Sequence, residues 1–283
     1  LMSYIHFLSG NFVSEDELLI SPRDLGYSRG YAVFDFFRTY SGHKPFMIDV
    51  HIERLFQSAA RVELNIPWSK YQVIQWVLDT ISKNTTNHEL AIRITISGGV
   101  SYGLTPPEIP TILITVDQAI DFSKEIYDKG VNVITVEYQR HLPASKTTNY
   151  LEAIRHQRLA ITHGADEVLY CSKGNVLEGA TSNFFAVIDG KIVTAKSGIL
   201  EGITRKILLE SLEISPSILV GDIPVNRLKD ASEAFLSVSC KDIIPVVRIN
   251  SIPLGEGVVG PITRKVMTQY SDYLHSNRWD LPQ

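Results

Sequence analysis

Hydrophobic and polar positions along this chain recur at two periods, and the switches between them mark out the elements. Period-two runs in "YAVFDFFRTYSGHKPFMI" (residues 31–48) predict two β-rich stretches joined by the turn "SGHK". In "DVHIERLFQSAARVEL" the residues Ile52, Leu55, Phe56, Ala59 and Ala60 fall at helical spacing, with Asp49 as the expected N-cap. "KYQVIQWVLDTISKN" predicts a second amphipathic helix, and "LAIRITISGG" and "PTILITVDQ" predict strands. From Asp117 to Lys124 the pattern weakens, which suggests a linker.

Beyond that point "GVNVITVEYQR" reads as a strand, followed by "HLPASKTTNYLEAIRHQ", whose second half opens a helix. If the stretch from Lys146 to Tyr150 forms one helical turn, both side chains share a face. "EVLYCSKGNVLEGATSNFFAVIDGKIVTA" reads as a meander with turns at "SKGN" and "DG". "GITRKILLESLEI" is a helix entered from a glycine, "EAFLSVSCKDIIPVVRINSIPL" is strand and loop, and "GPITRKVMTQYSDYLHSN" is a final helix. The expected architecture is α+β in two parts. A small N-terminal α/β domain covers 1–117, a linker 118–125, and a larger C-terminal domain 126–283.

Composition narrows the function classes. The 283 residues suffice for two cores, and 44% hydrophobic with 20% charged residues is ordinary for a folded protein. A net charge of −4 without a basic block gives nucleic acid no footprint, and no apolar run approaches bilayer length. The opening "LMSYIHFLSGNFV" lacks a basic start and a long apolar stretch, so a cytoplasmic protein is expected. Only Cys171 and Cys240 occur, far apart, which argues against a disulfide framework or a cysteine metal site.

One motif is a distraction. "GVSYG", from Gly99 to Gly103, fits the G-x-S-x-G elbow of serine hydrolases, but that elbow needs a helix straight after the serine. "LTPPEIPT" follows Ser101 instead, and two consecutive prolines forbid the helix. Four other features are dull singly. Lys146 has no acid within three positions, and Glu178 stands inside the apolar strand "VLEGATSNFF". In "LEGITRKIL", Gly202, Ile203 and Thr204 open a helix whose free amides suit an anion, and Arg54 sits in "HIERL". An amine, an acid, an anion cradle and an arginine together meet the needs of pyridoxal 5′-phosphate. That cofactor is held on a lysine, wants a carboxylate at its ring nitrogen, and offers a phosphate to a helix start and an arginine.

The markers "HIERL", "SKTTNYL", "LEGATSNFF" and "LEGITR" occur in an order and spacing that resembles the class IV, or fold-type IV, pyridoxal-phosphate aminotransferases. That family includes branched-chain aminotransferases, D-amino-acid aminotransferases and aminodeoxychorismate lyase. The resemblance runs from "DLGYSRGYAVFDFFRTYSG" to "PLGEGVVGPITRKV", nearly the whole chain. It implies Lys146 as the Schiff-base lysine and the proton carrier, Glu178 at the pyridine nitrogen and Tyr150 at the ring 3-hydroxyl. It implies Arg54, Ile203, Thr204 and Ser239 at the phosphate, and a homodimer.

Substrate choice follows the same resemblance. Phe34, Phe36 and Arg38 share one strand face, and Phe34 and Arg38 match the V-F-E-G-hydrophobic-R pattern of branched-chain aminotransferases. Arg93 falls where those enzymes use an arginine for the substrate carboxylate, and Cys240 falls on the loop lining the pocket. The R-x-H pair of D-amino-acid aminotransferases is absent, because that region reads "GGVSYGLTP". The expectation is therefore an apolar, branched-chain-like L-amino acid donating to 2-oxoglutarate. There are departures: Phe36 replaces a glycine, Ala91 a tyrosine, and "SVSCKD" a loop of small residues, so Lys241 brings a charge. A basic, aromatic pocket also suits chorismate-derived substrates, which keeps aminodeoxychorismate lyase as the alternative.

Overall fold

The structure is a computed structural model and describes residues 4–276 and 278–280. The chain divides into two compact units, the first made of residues 4–120, 145–149 and 279–280, the second of 121–144, 150–276 and 278. The division falls between Ile120 and Asp121, and the short segment around Lys146 belongs to the first unit.

In the first unit β1 (Ile5–Leu8), β2 (Asn11–Ser14), α1 (Leu25–Arg29), β3 (Ala32–Tyr40), β4 (Lys44–Pro45), α2 (Ile48–Arg61), α3 (Lys70–Ser82), β5 (Leu90–Ser97) and β6 (Thr111–Gln118) follow in order. The strands form one antiparallel sheet in the order β2-β1-β6-β5-β3-β4. Alternation gives this sheet two faces with different duties. Val33, Phe37, Ile92, Ile94, Ile96, Ile112, Ile114 and Val116 form one core cluster with Ile52, Leu55 and Ala59 of α2 and Val73 and Val77 of α3. Each fully buried Val, Leu, Ile or Phe side chain among them is worth about 1.5–3 kcal/mol. The register sets Phe36 directly opposite Arg93 on the other face. Helix α2 begins earlier than its sequence suggests. Met47 enters it in the left-handed region (φ 45°), so Asp49 lies inside the first turn rather than at the N-cap. There its charge still complements the helix dipole.

The segment Ser145–Asn149 forms a β-bridge at Thr147, not the helical turn that Lys146 and Tyr150 were expected to share. It lies antiparallel along β3, with Val33 opposite Thr147. The Phe34 amide donates to the Lys146 carbonyl at 2.9 Å, and the Thr148 amide to the Ala32 carbonyl at 3.1 Å. β4 pairs only with Thr39 and Tyr40, so the early part of β3 has an open edge for this segment to fill.

The second unit contains α4 (Lys124–Asp128), β7 (Val131–Glu137), α5 (Leu151–Thr162), β8 (Glu167–Ser172), β9 (Asn175–Gly179), β10 (Asn183–Ile188), β11 (Lys191–Ala195), α6 (Ile203–Glu210), β12 (Ile218–Gly221), β13 (Ile223–Pro224), β14 (Ala231–Val238), β15 (Asp242–Ile249), β16 (Ile252–Pro253) and α7 (Pro261–His275). Helix α4 starts within the stretch read as linker; Ser123 caps it by accepting from the Glu125 amide. The sheet runs β12-β11-β10-β14-β15-β7-β8-β9-β13, with β16 on β15. β9 also pairs with β10, which closes a ring of strands through β10, β14, β15, β7, β8 and β9. That closing contact is one residue pair, Asn183 opposite Glu178. Strand β8 shows both faces of the wall: Leu169 and Cys171 belong to one core cluster, Val168 and Tyr170 to another with Ala160 of α5.

Candidate active site

In the first unit the bridged segment gives Lys146 a fixed main chain. Its carbonyl is held by Phe34, and its amide donates to the Ser58 hydroxyl on α2 at 3.1 Å. The half-buried side chain places Nζ 4.7 Å from the centre of the Phe34 ring. The same ring receives the Arg93 guanidinium at 4.5 Å, and Phe36 lies 5.6 Å from that guanidinium. Four of the sequence candidates, Lys146, Phe34, Phe36 and Arg93, thus converge. A cation over an aromatic face is attracted by the ring quadrupole, and Arg93 has no acid partner among the described residues. Arg38 turns along the strand and lies over Tyr40, at 5.1 Å from its ring centre.

Arg54 is buried against the other side of β3. Its Nε donates to Asp35 Oδ2 at 2.8 Å and its Nη2 to Oδ1 at 2.7 Å, a bidentate pair. His51 Nδ1 lies 2.8 Å from Asp35 Oδ1. Burial alone would raise the Asp35 pKa, but Arg54 and then His51 outweigh it and hold the carboxyl well below the usual range. His51 moves down from its ordinary value chiefly because it is buried; Asp35 opposes that shift, and the charges of Arg54 and Lys146 add to it. Asp35 and His51 were not read as candidates, though the signal was there. Asp35 is an acid within an apolar strand, as Glu178 is, and His51 and Arg54 are three apart on one helix.

In the second unit Glu178 sits at the closure of the strand ring and is 4% exposed. Arg140 Nε and Nη2 both donate to its Oε1, at 2.9 and 2.7 Å. The Leu200 amide donates to Oε2 at 2.9 Å, with Asn183 Nδ2 at a longer 3.4 Å. Asn183 Nδ2 also donates to the Leu200 carbonyl at 2.7 Å. A Cβ on Gly202 would fall on Asn183 Oδ1, so any larger residue would have to displace the Asn183 side chain at the entry to α6. Glu178 and the start of α6 are therefore tied through Asn183 and Leu200. Neither Arg140 nor Asn183 was read from the sequence, because nothing in spacing links residue 140 or 183 to a carboxylate at 178.

Two of the helix starts in this unit, those of α6 and α7, differ. At α7 the Ile262 and Thr263 amides donate to Glu233 at 3.1 and 2.7 Å. At α6 no side chain caps the amides, and Thr204 Oγ1 shares a hydrogen bond with Tyr270 at 3.3 Å. An uncapped helix start favours an anion. Tyr150 is the N-cap residue of α5, while Ser239 and Cys240 lie half-buried in the turn between β14 and β15. Lys241 in the same turn places its Nζ 4.9 Å from the Phe122 ring centre. Ser101 opens no helix; its hydroxyl donates to the Thr105 carbonyl at 2.8 Å, as a turn residue does rather than a hydrolase nucleophile.

An amine on an anchored segment, an acceptor-only carboxylate in an arginine ion pair, an uncapped helix start and a buried arginine fit pyridoxal 5′-phosphate in donor chemistry. Among the described residues no cluster of three or more histidine, cysteine or acidic side chains is arranged to hold a metal ion. No helix among them is long and apolar enough to cross a membrane.

Fold and side-chain chemistry together define a two-unit α+β enzyme of the pyridoxal-phosphate type. The sequence profile "Amino-transferase class IV" matches residues 32–249, and the chain belongs to that family of pyridoxal-phosphate-dependent aminotransferases. It is 30% identical over 283 residues to the D-alanine aminotransferase of Staphylococcus haemolyticus, covering 95% of this chain and 98% of that one. It is 32% identical over 278 residues to a putative branched-chain-amino-acid aminotransferase of Methanocaldococcus jannaschii, covering 94% and 95%. Among solved structures, the branched-chain aminotransferase of Thermoproteus uzoniensis with norvaline matches at TM-score 0.88 and 27% identity, over 98% of this chain and 96% of that one. The Escherichia coli branched-chain aminotransferase matches at 0.88 and 26%, over 96% and 95%.

Proposed function

We propose that this aminotransferase moves the amino group of an apolar L-amino acid to 2-oxoglutarate. The observation that carries the reading is the face shared by Phe34, Phe36 and Arg93 beside Lys146. Two aromatic rings suit an apolar side chain, and a guanidinium resting on them with no acid partner among the described residues suits a carboxylate. The 27% identical structure whose name includes norvaline supports an apolar substrate.

The bound cofactor supplies the electron sink that makes a Cα proton removable. Lys146 would hold the cofactor, and its Nζ would take the substrate Cα proton as general base and return it as general acid. Glu178 accepts from the ring nitrogen, and Arg140 and the Leu200 amide keep its carboxylate in one orientation. Tyr150 serves the ring 3-hydroxyl. Arg54, the amides of Ile203 and Thr204, the Thr204 hydroxyl and Ser239 hold the phosphate. Arg93 orients the substrate carboxylate, with Arg38 and Cys240 at the pocket margin. In this reading the working form is a cytoplasmic homodimer.

The test is product analysis with 2-oxoglutarate and a panel of L- and D-leucine, norvaline, phenylalanine and alanine. Glutamate and the matching oxo acid from the L-apolar members are expected. The 30% identity to a D-alanine aminotransferase favours one competitor. Turnover of D-alanine with none of the L-series would replace our reading with it.

A further inference from the structure

Among the buried titratable groups to which the reaction assigns no role, His51 has the most constrained surroundings. It is fully buried on α2, with Arg54 and Ser58 three and seven positions on along the same helical face. Its Nδ1 faces Asp35, an acceptor-only carboxylate, so Nδ1 carries the proton. Its Nε2 is buried without a hydrogen-bond partner among the described residues. Protonation there would set a second buried cation beside Arg54 with nothing to receive its N–H. His51 is therefore a neutral, single-proton donor.

That donor completes the shell of Asp35. Oδ1 accepts from Arg54 Nη2, His51 Nδ1 and the Phe36 amide, and Oδ2 accepts from Arg54 Nε. The χ2 torsion of an aspartate is broad, so the plane of its carboxylate is set by its donors. The plane of a bidentate guanidinium follows that carboxylate. Buried ion pairs are seldom the most stable filling for a core, since apolar residues of similar volume often do as well or better. A role in orientation gives this one a reason to be kept. Ser58, on the same face of α2, holds the Lys146 amide, so one helix face serves both the arginine and the lysine.

We infer that His51 is a positioning residue for the cofactor phosphate: as a neutral Nδ1–H donor to Asp35 it fixes the plane in which Arg54 meets the phosphate. This rests on the reading of Arg54 given under the proposed function. The test is equilibrium binding to the apoprotein of pyridoxal 5′-phosphate and, separately, of pyridoxal, which lacks the phosphate. His51→Leu removes the donor, and His51→Asn keeps an N–H near the Nδ1 position. The phosphate ester is expected to bind His51→Leu about tenfold more weakly. Pyridoxal binding is expected to be unchanged, and His51→Asn to restore most of the phosphate ester's affinity. If His51→Leu does not fold, His51→Gln, whose amide reaches toward Nε2 instead, carries the same expectation. Equal weakening of both ligands would mean a structural role only, and undiminished phosphate-ester binding would remove His51 from the site; either overturns the inference. Arg54→Met separates the two levels. If it leaves phosphate-ester binding unchanged, the Arg54 reading fails, whereas its loss of affinity beside an indifferent His51→Leu fails the inference alone.

Discussion

The two units each hold a functional charge that is already paired, and they pair it in opposite senses. In the first, the cation Arg54 is gripped by the acid Asp35, whose side chain is 0% exposed. In the second, the anion Glu178 is gripped by the cation Arg140, whose side chain is 13% exposed. Both acids also accept from a main-chain amide, Phe36 at Asp35 and Leu200 at Glu178; the side-chain donors differ, a neutral histidine at Asp35 and the Asn183 amide at Glu178. A charge carried by a flexible side chain becomes useful to chemistry only when its direction is fixed. Here each unit fixes it by a counter-charge plus a neutral donor. The ions left behind by losing a counter-charge differ: an arginine cannot shed its charge, whereas a carboxylate can take up a proton.

The largest expected effect follows from that difference. Asp35→Asn leaves Arg54 buried without its anion and should cost about 3–5 kcal/mol of stability in denaturant unfolding. Arg140→Met should cost clearly less, because the carboxylate left behind keeps the Leu200 amide and can take up a proton, and equal losses would remove the contrast. Next, Glu178→Gln should keep the cofactor bound but slow turnover at least about tenfold, since an uncharged ring is a poorer electron sink. Wild-type turnover in that variant would take Glu178 off the ring nitrogen. A smaller change is expected at the substrate. Arg93→Met should raise KM for the amino acid roughly tenfold with kcat less affected, because a charge-assisted hydrogen bond is lost.

The smallest effect is a pH dependence. His51 titrates below its ordinary value of 6.5, so the unfolded chain takes up its proton first as pH falls. The stability owed to neutral His51 is full above about pH 6.5 and is lost as pH drops toward its lowered folded pKa. That of Asp35, also lowered, is full above its ordinary 3.8 and is lost further down. Melting temperature should thus decline between about pH 7 and about pH 5, less steeply in His51→Asn. An unaltered slope in the variant would assign the decline to other groups.

How much of this was legible in the sequence depends on what each feature needs. The antiparallel sheet of the first unit and the meander of the second follow from period-two alternation, and β8 to β11 fall where "SKGN" and "DG" place their turns. Lys146 and Glu178 were dull singly and became legible only together with Arg54 and the helix start at 202–204, in a marker order that resembles a known family. The pairing of Ser145–Asn149 along β3 was not legible, since its hydrogen bonds go to Ala32, Phe34 and Ser58, all far away in the sequence. The start of α2 was missed for a local reason, the left-handed Met47, which no common N-cap residue announces. Arg140 and Asn183 were missed because their roles arise only when the strand ring closes on one residue pair. Pattern reads elements well, and it is blind to partners that only tertiary pairing supplies.

The central claim is that Lys146 is the amine around which the site is built. Borohydride reduction of the protein loaded with pyridoxal 5′-phosphate, followed by mass mapping of its peptides, tests it most directly. The account predicts a single phosphopyridoxyl group on the peptide that contains Lys146, and none in Lys146→Ala. The label on Lys241 or another lysine, or no stable label in wild-type protein, would contradict it.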